Sequence, residues 1–154
     1  MKPPFSRTTN SGLPESLKGQ IIVSTQILNE FSNVLIRHKI DDDKIQYLVG
    51  AIIEECDICP VDLKTVERAW HIRIKYQFSY WDSLIVASAL GMNCSVLYTE
   101  DLQHNQIIEE KLKITNPYQI RNIPLMNIAT LVSVILQKDG FWLLFTQSGI
   151  PIFV

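Results

Sequence analysis

No apolar run in this chain reaches the roughly 18 to 20 residues needed to cross a bilayer; the closest approach, IPLMNIATLVSVIL, stops at QKDG. A membrane-spanning helix is therefore not expected. The opening MKPPFSRTTNSG lacks the apolar core of a signal peptide, and three cysteines, Cys56, Cys59 and Cys94, do not make an even disulfide framework. Both point to a reducing cytosol. Net charge is small as well: −2 neither predicts a general attraction for nucleic acid nor excludes a local basic groove. There is no Gly-rich phosphate loop and no internal repeat. His38 and His104 have no visible partner acid and nucleophile, which leaves a hydrolase triad without support.

What is present fits one domain of 154 residues with enough apolar side chains for a single core. Residues 1–19, rich in Pro, Ser, Thr and Gly, read as a loose leader. IIVS then has the form of a short buried strand, and Ser24 or Thr25 can cap the helix that follows, in which Ile27, Leu28, Phe31, Val34 and Leu35 recur at helical spacing. Glu30 lies on the edge of that stripe. A second helix starts at the acidic run Asp41 to Asp43, favourable at a positive helix end, and buries Ile45, Leu48, Val49, Ile52 and Ile53. Pro60 and Asp62 introduce a third, with Leu63, Val66, Trp70 and Ile74 on one side and an end near Tyr76. In the fourth, Ser79 is the expected N-cap and Gly91 the stop; Trp70 and Trp81 are expected in the core. CSVLY reads as a buried strand that delivers Thr99, Glu100 and Asp101 beyond its end.

This alternation predicts an α/β fold with a mostly parallel central sheet flanked by helices in three layers. Ligand sites in such sheets lie beyond the carboxyl ends of the strands, so acids distant in sequence can share one rim. Asp82 sits in the apolar run FSYWDSLIVASAL, and Ser79-x-x-Asp82 matches a capping box, which alone could account for it. Glu30 could be a solvated flank and Asp101 a loop acid. Together the three form the oxygen donor set that a hard cation such as Mg²⁺ or Mn²⁺ prefers. The lone C-x-x-C of Cys56 and Cys59 lacks two further zinc ligands, since His71 falls inside a helix; Cys56 ends a helix where redox motifs begin one. Packing is its expected role.

The segments STQILNEF, PVDLKTVERAWHIRIKYQFSYWDSLIVASAL, LYTEDLQHNQ and ITNPY, over about residues 20–118, resemble in order and spacing the PIN-domain nucleases, particularly VapC-type toxins of toxin–antitoxin pairs. The resemblance implies a Mg²⁺- or Mn²⁺-dependent endoribonuclease, commonly a homodimer and held inactive by a cognate antitoxin protein. It places the family's metal-binding and catalytic acids on Glu30, Asp82 and Asp101, with Glu100 as a further metal ligand and Thr25 and Thr99 in support. The family also opens with a central strand that ends in an aspartate, usually followed by Thr or Ser and Asn. Thr9-Asn10 matches only the last two letters, so that strand and its acid are expected to be missing, as in an N-terminally truncated domain. Residues 119–154 lie beyond the resemblance. IATLVSVIL, FWLLFTQ and IPIFV could form a small β-meander that supplies replacement strand pairing. The alternative expectation is an inactive PIN remnant that serves as a protein-interaction module.

Overall fold

The computed structural model describes residues 21–116, 119 and 144–146. Among these the order is β1 (Ile21–Ser24), α1 (Thr25–Arg37), α2 (Asp42–Glu55), β2 (Asp57–Cys59), α3 (Leu63–Tyr76), α4 (Tyr80–Gly91), β3 (Val96–Tyr98), β4 (Ile107–Ile108), β5 (Leu112–Thr115) and β6 (Leu144–Thr146). The leader expected over residues 1–19 lies outside the described residues, as does the tail meander apart from β6.

One sheet joins the strands in the order β2-β1-β6-β3-β5-β4. β1 and β2 are parallel, β3 and β5 are parallel, and β6 runs antiparallel to both β1 and β3. β1, β2, β3 and β5 therefore point the same way, and their carboxyl ends share one edge. The slot between β1 and β3, which the resemblance assigns to a first strand, is filled by β6. Ile22 stands opposite Phe145, and Tyr98 opposite Leu144.

β1 is buried on both faces, which explains its unbroken IIVS. Strand side chains alternate: Ile21 and Val23 join Leu28, Phe31, Leu35 and Leu48 in one core, while Ile22 joins Ile85, Val86 and Leu97 in the other. The sheet is thus sandwiched between α1–α2 and α3–α4. α1, α3 and α4 start at side-chain caps, whereas α2 starts at Asp41 with acidic Asp42 and Asp43 in its first turn and no side-chain cap hydrogen bond. Ser24 Oγ accepts from the Ile27 N–H at 3.3 Å, Asp62 Oδ1 from Thr65 at 2.8 Å, and Ser79 Oγ from Asp82 at 3.1 Å. Each cap contributes about 1 kcal/mol. Cys56 and Cys59 are buried and outside any disulfide, one in each core, in keeping with a packing role.

The outward face of α3 differs from expectation. Trp70 is 52% exposed, Trp81 62%, Leu63 72% and Ile74 69%, so neither tryptophan is a core residue. The physical reason is the partner helix. α4 is buried continuously from Ser83 to Ala89, and its small residues let α3 approach closely through Ala69, which clusters with Leu84 and Ala87. That close contact turns α3 so that Ala69 and Ile72 face inward and the bulky row faces out. Trp70 instead lies against Tyr80, with ring centroids 5.3 Å apart.

Because β6 supplies ladder partners to two strands at once, it is structural rather than decorative. Phe145→Pro, which removes a backbone donor from a central strand, is expected to lower the urea midpoint sharply or abolish cooperative unfolding followed by circular dichroism. A chain ended after residue 140 should behave the same way. An unchanged midpoint in either would mean that β6 contributes nothing to the fold.

Candidate active site

The shared strand edge brings together the acids predicted from sequence. Glu30 lies in the second turn of α1, just after β1; Asp82 lies in the first turn of α4; Asp101 follows β3. Glu30 is half-buried, and its Oε1 accepts from Gln26 Nε2 at 2.8 Å. Burial raises its pKa, the Gln26 hydrogen bond lowers it, and the negative charges of Asp82 and Asp101 raise it further. Asp101 is exposed overall, yet crowding of its carboxyl by neighbours raises its pKa, and the charge of Asp82 adds to the effect. Three elements far apart in sequence thus place three acids within electrostatic reach of one another. Glu100 is also raised, by burial and then by the charge of Asp101.

The Glu30 and Asp82 carboxylates are each held by a neighbour, and Asp101 by its backbone. Ser79 receives the Asp82 N–H on its hydroxyl oxygen and donates that hydroxyl to Asp82 Oδ2. The capping expectation is therefore met on the Ser79 side, but the carboxylate bonds the cap's hydroxyl and leaves the rest of its acceptor capacity outward. Thr99, 1% exposed, accepts the Asp101 N–H on Oγ1 at 3.1 Å and so fixes the turn that carries the acid. Thr25 Oγ1 accepts the Val61 N–H at 3.1 Å, which ties the start of α1 to the loop after β2. Thr25 and Thr99 thus act on the backbone that frames the acids.

The donor chemistry fits a hard divalent ion: carboxylate oxygens, negatively coupled, whose repulsion a cation would relieve. Among the described residues, however, no group of three or more His, Cys, Asp or Glu stands at metal-holding geometry. The acids converge without closing on one point.

Sequence reading missed the wall beside them. A cavity of about 730 Å³ is bounded by Gln26, Asn29, Glu30 and Asn33 of α1, facing Trp81 and Leu84 of α4. The signal was available, because those four α1 residues recur at three- and four-residue steps beside the apolar stripe.

The raised carboxyls fix a sign. Their folded pKa values lie above the unfolded ones, so the penalty for ionising them is absent below the unfolded carboxylate range and fully present above the raised folded values. Stability from this cluster falls as pH rises through that window. Glu30→Gln and Asp101→Asn should therefore raise Tm by a few degrees at pH 7 and by much less at pH 4, measured by thermal unfolding. A lower Tm at pH 7 would contradict the repulsion argument.

The family model of the PIN domain matches residues 8–109, more than half of the chain. No curated protein matches it.

Proposed function

The chain belongs to the PIN-domain family, generally a nuclease fold that uses divalent metal ions and acts on RNA, and from that premise we propose that it is an endoribonuclease of the VapC type. The observation that carries the reading is the mutual influence of Glu30, Asp82 and Asp101 across three separate elements. Structural acids are normally spread apart or paired with a cation. A cluster held at a cost to the fold is what a functional site leaves behind.

In this reading Glu30, Asp82 and Asp101 hold Mg²⁺ or Mn²⁺, with Glu100 at the margin as a further oxygen donor. Such an ion supplies Lewis acidity: it acidifies water and offsets charge on the phosphate. The chain's own part is positioning. Ser79 aims Asp82, Thr99 sets the turn of Asp101, and Gln26 orients Glu30. Thr25 keeps α1 registered on the loop after β2. No side chain is asked to be a covalent nucleophile.

The family's first-strand aspartate finds no counterpart in β6. That strand runs opposite to β1 and β3, so the end of it nearest the acids is its start, at Leu144, rather than its carboxyl end. Three acids, not four, are therefore proposed to carry the ion. The exposed row Leu63, Trp70 and Ile74 on α3 supports a protein partner, either a second copy in a homodimer or a cognate antitoxin. Among the described residues no helix is long and apolar enough to cross a membrane. Three cysteines outside any disulfide suit action in the cytoplasm.

Purified chain incubated with RNA and Mg²⁺ or Mn²⁺ should cleave internal phosphodiester bonds, and Asp82→Ala should slow cleavage by on the order of 100-fold or more. Cleavage that survives Asp82→Ala would count against the metal site. No cleavage by either protein would leave the inactive interaction module as the better account.

A further inference from the structure

Beside its apolar stripe α1 carries a second row, Gln26, Asn29, Glu30 and Asn33, and this row lines the 730 Å³ cavity. The size lies within the range of small-ligand pockets, roughly 300–1,000 Å³. The opposite wall offers Leu84 and the indole of Trp81, which is 62% exposed. Among the described residues no Lys, Arg or His lines the cavity. Its chemistry is thus amides, the Thr25 side chain, one aromatic plane, aliphatic surface and the Glu30 carboxylate. That set does not suit a phosphate or another anion.

Gln26 adds an independent observation. It is only 7% exposed, its Nε2 donates to Glu30 Oε1 at 2.8 Å, and its Oε1 has no hydrogen-bond partner among the described residues. Flipping the amide would not cure this, because it would set carbonyl oxygen against carboxylate oxygen. The unmet group is therefore an acceptor, in a wall where an unpaired acceptor is costly. Oε1 is itself closed off from the cavity, so a ligand N–H reaches it only after the amide turns.

We propose that this cavity is a nucleobase subsite, in which a base splayed from single-stranded RNA stacks on Trp81 and presents its hydrogen-bonding edge to Gln26, Asn29 and Asn33. The inference rests on the nuclease reading for its choice of ligand. Single-stranded RNA is recognised by aromatic stacking combined with polar contacts to base edges, and bases bring both N–H donors and acceptors. Position agrees with chemistry. Trp81 immediately precedes Asp82, and Glu30 is shared between the cavity and the acid cluster, so a base seated here would bring its own phosphate towards the acids. The subsite would choose which nucleotide lies beside the cut bond.

Uncharged nucleosides test this without cleavage or metal. In ¹⁵N-labelled full-length protein, adenosine, guanosine, cytidine and uridine are titrated one at a time, with ribose and N-acetyltryptophanamide as controls. The expected result is movement of the Trp81 indole N–H resonance, assigned by its loss in Trp81→Phe, together with the Gln26 and Asn33 side-chain amides. At least one nucleoside should produce it and ribose should not. Trp81→Ala, at an exposed position, should weaken nucleoside binding read at the amides by about tenfold, the scale of one base stack. No movement with any nucleoside would overturn the proposal, as would equal movement with ribose or unaltered binding in Trp81→Ala. Movement with the tryptophan amide alone would assign the cavity to a protein side chain and also overturn it. RNA cleavage without nucleoside shifts would remove the subsite and keep the nuclease; shifts in a chain that cleaves no RNA would do the reverse.

Discussion

Two buried strands that point the same way, β1 and β3, lie one strand-width too far apart to pair with each other, and everything else in the fold depends on what fills the gap. Buried backbone N–H and C=O groups must find partners. β6 provides them, antiparallel to both neighbours, with Phe145 opposite Ile22 on one side and Leu97 on the other. This contact holds the carboxyl ends of β1 and β3 on a common edge. Without it Glu30, which follows β1, and Asp101, which follows β3, have no reason to meet.

The convergence of like charge has a cost, and the local structure is arranged to bear it. Burial and mutual repulsion both raise the pKa of Glu30 and of Asp101. The Gln26 hydrogen bond opposes this at Glu30, while Ser79 on Asp82 and Thr99 on the backbone of Asp101 are tethers of position. The tethers preserve orientation without neutralising charge, since none of them is a cation. Where ion pairing is favourable the chain does use it, as between Lys75 and Glu109 at 2.8 Å.

Much of this was legible in the sequence, and the gaps have physical causes. Helical periodicity and capping residues located α1, α2, α3 and α4, and the unbroken IIVS and CSVLY gave β1 and β3, because burial on both faces writes a continuous apolar run. β2 was hidden: Asp57–Cys59 has three residues, too few to carry a period, and its place is set by pairing with β1. β4 and β5 were missed because their turn uses Glu109 and Glu110, both at positive φ, where Asn and Gly are the usual signal. The inward face of α3 was misread because large residues were weighed above small ones; close packing on α4 selects Ala69 and leaves Trp70 outside. Of the candidate site, the shared rim of a parallel sheet and the family resemblance both grouped the three acids, but the cavity beside Trp81 does not follow from a linear string.

The central claim is that Glu30, Asp82 and Asp101 form one cation site. Anomalous X-ray scattering from crystals soaked in Mn²⁺ tests it most directly. The account predicts a single strong peak touching carboxylate oxygens of all three, lost in crystals of Asp82→Asn. A peak elsewhere, or none among these acids at saturating Mn²⁺, would contradict it.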